Sequence, residues 1–123
     1  MIDVMGWLFP KIANDATVVS IAGGNIWTVE PEIKTVFPAV YVRETNEPDA
    51  EFLDDAPTAS DSTVVVDVYV ENASPFALAK AVCDVFAGLT WACTMNTDIT
   101  DPAPNVKHRH LEFTRNLLPS NLV

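Results

Sequence analysis

Residues 63–71, TVVVDVYVE, constrain the fold more than any other stretch of this chain. Successive side chains of an extended strand face opposite ways. Val64, Val66, Val68 and Val70 therefore fall on one side, with Val65, Asp67, Tyr69 and Glu71 on the other. A row of β-branched side chains fits a pleated surface better than a helix, and an all-valine face demands cover from water. A matching run precedes it at residues 39–45, AVYVRET, in which Val40 and Val42 alternate with Tyr41 and Arg43. Together the two runs predict an antiparallel pair with one apolar face.

Cover for that face follows directly. From Ser74 onward, Leu78, Ala79, Val82, Cys83, Phe86 and Leu89 recur on one side of a helix, while Lys80 and Asp84 lie opposite. Ser74 is the expected N-cap, Pro75 the first-turn residue and Gly88 the stop. A second helical pattern, Ile2, Met5, Leu8, Phe9 and Ile12, opens the chain, and Pro10 predicts a kinked or two-part helix there. Asp15 is placed to cap a further short helix to Ile21, which Gly23 and Gly24 end. Residues 25–38 read as irregular chain or a short edge strand. Strands at 90–95 and 107–117 complete the sheet, joined by the turn-rich DITDPAPN. In the last strand Leu111 and Phe113 point with Lys107, Arg109 and Arg115, and His108, His110 and Glu112 point the other way. The expectation is one α+β domain over residues 1–123. It has a small antiparallel sheet of about four strands, two helices packed on one face, and the other face half polar and open to contact.

The connection between the two best strands is a long acidic strand-to-strand loop. Residues 44–62 hold seven of the seventeen acids and no Lys or Arg, and Phe52 and Leu53 are their only large apolar side chains. Loops this long are usually functional or disordered, which predicts a segment that orders on assembly with Phe52 and Leu53 as its anchor. Lys107, Arg109 and Arg115 put three of the seven basic residues on one strand. Glu47, Asp49, Glu51, Asp54 and Asp55 of one subunit are expected either to face that strand in a neighbour or to line a lumen. A net charge of −10 argues against tight nucleic-acid binding and against anionic membranes. No apolar run approaches the ~20 residues of a membrane span, and the start of the chain lacks the basic residues of a signal peptide, so a cytoplasmic site of synthesis and assembly is expected.

Catalytic motifs are not found: no phosphate loop, no Cys-x-x-Cys, no nucleophile elbow. The expectation is a protein that is not an enzyme and takes no cofactor or metal. His108, His110 and Glu112 are the one constellation with metal-ligand character, and the preferred reading for them is a solvated or subunit-contacting face. Cys83 and Cys93 are expected to be buried reduced thiols, and Trp7, Trp27 and Trp91 core or interface anchors.

The order of these features resembles the small tail-completion or tail-terminator proteins of long-tailed bacteriophages. An N-terminal helix leads into DATVVSIAGGNIW. FPAVYV follows, then a variable loop, STVVVDVYVEN running into SPFALAKAVCDVFAGL, and a final strand HRHLEFTRNL. The resemblance spans almost the whole chain, with Pro10 and the long acidic loop as departures. It implies a structural virion protein that forms a homo-oligomeric ring, commonly a hexamer, at the head-tail interface. Such a ring caps the tail tube, joins it to the neck or head-completion protein, and lets the genome pass. The alternatives are a head-closure or neck protein of the same virion and, from another class, a small soluble ligand- or metal-binding domain.

Overall fold

The computed structural model describes residues 3–45 and 60–117. Its elements run α1 (Val4–Ala13), α2 (Ala16–Ala22), β1 (Ile26–Trp27), β2 (Ala39–Glu44), β3 (Ser60–Glu71), α3 (Phe76–Gly88), β4 (Ala92–Ile99) and β5 (Val106–Leu117). The strands form a single sheet in the order β1-β2-β3-β5-β4. The expected α+β architecture is present, with five strands rather than about four and three helices rather than two.

The sheet is mixed because β1 runs parallel to β2, pairing Ile26 with Val40 and Trp27 with Tyr41. Two residues leave no alternation to read, which is why the sequence leaves residues 25–38 open between irregular chain and a short edge strand. Asn25 secures it: its carbonyl accepts from the Val40 N–H at 2.9 Å, and its Nδ2 donates to the Pro38 carbonyl at 3.1 Å. All other pairings are antiparallel, and β3 and β5 match along twelve consecutive residues.

The valine face is the core. Val64, Val66, Val68 and Val70 meet Val40, Val42, Leu111 and Phe113 within the sheet, and Val4, Leu8, Ile12, Val18, Leu78, Val82 and Phe86 from the three helices. In α1 the Asp3 carboxylate accepts from the Gly6 N–H at 2.9 Å, and the helix continues through Pro10 instead of dividing there. The missing proline N–H leaves one internal bond unmade, that to the Gly6 carbonyl. Asp15 caps α2 by accepting from the Val18 N–H, and Gly23 ends it with φ at 65°.

Two boundaries of α3 differ from expectation. Pro75 holds the N-cap position, while Ser74 Oγ, one residue earlier, accepts from the Phe76 N–H at 3.2 Å. Gly88 is the last helical residue, and the reversal is made by Thr90 at φ 63°.

The second face of the sheet is not simply open. Residues 28–38 return across it: Tyr69 Oη donates to Glu30 Oε1 at 3.3 Å, and Lys34 Nζ lies 5.0 Å from the Tyr69 ring centre. Phe37 packs against Ala39, Tyr41, Tyr69 and Val106. A parallel β1-β2 connection must cross a face of the sheet, and here it crosses the polar one. Strand β4, at the far edge, is exposed along all eight of its residues.

Candidate functional site

Register brings the polar side chains together. Across the β3-β5 ladder Asp67 lies opposite His110, Tyr69 opposite His108 and Val65 opposite Glu112. Directly opposed residues share a face, and diagonal neighbours are within reach of long side chains. Asp67 Oδ1 accordingly meets both His110 Nδ1 and His108 Nε2, each at 2.7 Å. The other nitrogen of His110, Nε2, meets Glu112 Oε2 at 2.8 Å. His108 stacks on Tyr69, with ring centres 4.1 Å apart and planes at 18°. Tyr41 abuts Tyr69 edge-on and stacks on Trp27, so an aromatic row flanks the cluster.

For His108, His110 and Glu112 two readings were expected, a solvated or a subunit-contacting face, and the structure overturns the solvated one. The Asp67 side chain is 6% exposed, and those of His108 and His110 are 12% and 13% exposed. Asp67 was missed because its partners lie more than forty residues away and only the register supplies them. A signal existed: a carboxylate inside a run of valines has to find hydrogen-bond donors or remain unfavourably desolvated.

Electrostatics follow from the geometry. Burial alone would raise the Asp67 carboxyl, but hydrogen bonds from His108 and His110 and their charges outweigh it and hold the group below its usual range. Burial alone would lower His110, but its bonds to Glu112 and Asp67 outweigh that and hold the imidazole above its ordinary value. Burial, followed by the Glu30 charge, raises the Tyr69 and Tyr41 hydroxyls.

A pH dependence follows. The raised His110 stabilises the fold below its ordinary 6.5, and the contribution is lost as pH rises through the folded value. The lowered Asp67 stabilises above its ordinary 3.8, and that contribution is lost as pH falls through the folded value. In chelator-treated protein the cluster therefore contributes most between pH 3.8 and 6.5 and weakens above it. Urea unfolding of the native chain and Glu112→Gln from pH 5 to 9 checks this. Both proteins gain from reduced general repulsion in acid, so the difference between them isolates His110. A difference that does not change with pH would refute the assignment.

Asp67, His108 and His110 are also the one group of three metal-ligating side chains among the described residues, with their ligand atoms all within 4.8 Å of one another. The cysteines are a separate matter. Cys83 is half-buried and Cys93 exposed, both free, which corrects the expectation of buried thiols in part for Cys83 and fully for Cys93. Burial first, and the neighbouring Cys93 second, push the Cys83 thiol up. Trp91 lies in the core against Phe86, Trp7 packs at its margin, and Trp27 is partly exposed on Tyr41.

Of the residues singled out for subunit contact, Glu47, Asp49, Glu51, Phe52, Leu53, Asp54 and Asp55 lie outside the described residues. Lys107 is exposed on β5. Arg109 is held within its own hairpin, donating from Nη1 to Asp98 at 2.8 Å and from Nε to Asn96 Oδ1 at 2.5 Å. Arg115 is partly buried near the end of the same strand. On the opposite face, Met95 and Ile99 of β4 pair with Glu112 and His108 and are 44% and 41% exposed.

No protein-family model matches the chain, and no curated protein matches it. Among solved structures it is similar to a chain in the virion of a native gene transfer agent particle, with 13% identity, 94% of each chain covered and a TM-score of 0.66. At that identity the likeness is one of fold. No helix among the described residues is long and apolar enough to cross a membrane.

Proposed function

We propose that the chain is a structural virion protein. The observation that carries this reading is the fold it shares, over nearly its whole length, with a chain of a gene transfer agent virion. Within a virion its place is at the end of the tail, as a ring of identical subunits that caps the tube and meets the neck, and its role is not enzymatic. The feature sequence noted above supports this finer placement. So does β4, an eight-residue edge strand with Met95 and Ile99 exposed, since such edges are normally covered by a partner. Two different surfaces meeting head to tail close a ring. The acidic segment of one subunit against Lys107 and Arg115 of the next would orient the contact, with Arg109 joining only by sharing its bonds to Asp98 and Asn96. Exposed ion pairs contribute about 0 to 1 kcal/mol each, so apolar contacts must supply most of the affinity.

Light scattering on a sizing column is expected to give a mass near six times that of the 13.4 kDa chain. Electron microscopy is expected to place rings on the open ends of cognate tail tubes. Met95→Lys with Ile99→Lys should return the protein to monomer with an unchanged circular dichroism spectrum. A native chain that stays monomeric and leaves tube ends bare would refute the proposal, and rings that bind neck particles but not tubes would move it to the head-closure position.

A further inference from the structure

We propose that Asp67, His108 and His110 form a binding site for one divalent transition-metal ion of the Zn²⁺ class, with Glu112 as the outer carboxylate that orients His110. Both ring nitrogens of His110 lie 2.7–2.8 Å from carboxylate oxygens. A neutral imidazole has one N–H and one lone pair, so only one of these contacts can be an ordinary hydrogen bond. With the N–H given to Glu112, the Nδ1 lone pair and Asp67 Oδ1 face each other. His108 Nε2 converges on the same oxygen at 2.7 Å. Acceptor atoms at this separation repel unless a positive charge lies between them, and that charge is a proton or a metal ion.

The surroundings suit a metal. Asp67 sits on β3 and both histidines on β5, the longest ladder of the sheet, so all three ligands project from rigid backbone. Tyr69 fixes the His108 ring by stacking. Glu112 on the far nitrogen of His110 supplies the carboxylate-histidine arrangement that sets tautomer and ring orientation in metal sites. Tetrahedral coordination at about 2.0–2.2 Å places ligand atoms roughly 3.3 Å apart, so the present contacts need to open by about half an ångström. Two nitrogens and one carboxylate oxygen prefer Zn²⁺, Co²⁺, Ni²⁺ or Cu²⁺ to Mg²⁺ or Ca²⁺. Binding involves no electron transfer: each imidazole coordinates through one ring-nitrogen lone pair and keeps its N–H on the other nitrogen, and a proton passes to the buffer only from an imidazole that was cationic before the ion bound. The bound ion would cross-link β3 to β5 at the middle of the sheet.

The chain contains only two histidines, both in this cluster, so any imidazole signal from untagged protein reports on this site alone. The test is titration of the chelator-treated, untagged full chain with Co²⁺, followed by visible absorption and by the imidazole nitrogen resonances. One ion per chain is expected, bound with a dissociation constant of about 100 µM or tighter. Zn²⁺ should displace it, Mg²⁺ should not, and both imidazoles should shift. Glu112→Gln keeps the inner ligands and should weaken binding about 10- to 100-fold. His108→Gln and His110→Gln should each weaken it at least as much, and circular dichroism will show whether these two variants fold. A dissociation constant weaker than about 100 µM for the native chain, or unchanged binding in Glu112→Gln, overturns the site and leaves the protonated cluster as its explanation.

Discussion

Phe86→Ala is expected to lower the unfolding free energy by about 4 kcal/mol. Phe86 is fully buried, and its ring lies flat on Phe113 of β5, with centres 3.8 Å apart and planes at 3°. The Trp91 ring stands perpendicular to it with centres 5.5 Å apart, and the backbone N–H of Trp91 donates to the Phe86 carbonyl at 3.0 Å. The residue thus fastens the end of α3 to the sheet and to the turn leading into β4. Truncation removes the apolar transfer energy and also opens a cavity that flat-packed rings and a pinned turn cannot close. Phe86→Leu, which nearly conserves volume, should cost less than about 1.5 kcal/mol. Urea unfolding with an unchanged m-value measures both. A loss under about 1 kcal/mol for Phe86→Ala would mean that the α3-sheet contact is looser than its geometry.

The elements legible in the sequence were those whose signal is local. The valine alternation placed β3 and sorted its residues onto two faces, though not the cover over the second, and the stripe from Leu78 to Phe86 placed α3 on the apolar face. Asp15 and Gly23 marked the ends of α2 because each acts through its own side chain or its own φ. What was not legible depends on partners distant in sequence. Trp27 and Ile26 become a strand only because β2 lies alongside, and Cys93 is exposed only because β4 is the sheet edge. The candidate site shows the same division. His108, His110 and Glu112 were recognised as one face of β5, but the buried Asp67 that organises them enters through the β3-β5 register. Residues 28–38, whose Glu30 and Lys34 cover Tyr69, carry no periodicity from which their position could be read.

Asp67→Ala is expected to cost about 3 kcal/mol in chelator-treated protein at pH 6, by a different mechanism from the core truncation. Little apolar contact is lost. The cost arises because His108 and His110, almost as buried as Asp67, lose their shared acceptor, and a buried cationic imidazole without a counter-charge is strongly unfavourable. Glu112 can still hold His110 through Nε2, which limits the loss. Asp67→Asn should cost less, about 1–2 kcal/mol, since its amide oxygen still accepts one imidazole N–H while the charge is gone. A double-mutant cycle separates these contributions. If the interaction is direct, Asp67→Ala made on a His110→Ala background should cost at least about 1 kcal/mol less than on the native chain. Additive losses would show that His110 does not stabilise Asp67, and the 2.7 Å contact with His108 would be left as the one that accounts for a carboxylate in the middle of a valine strand.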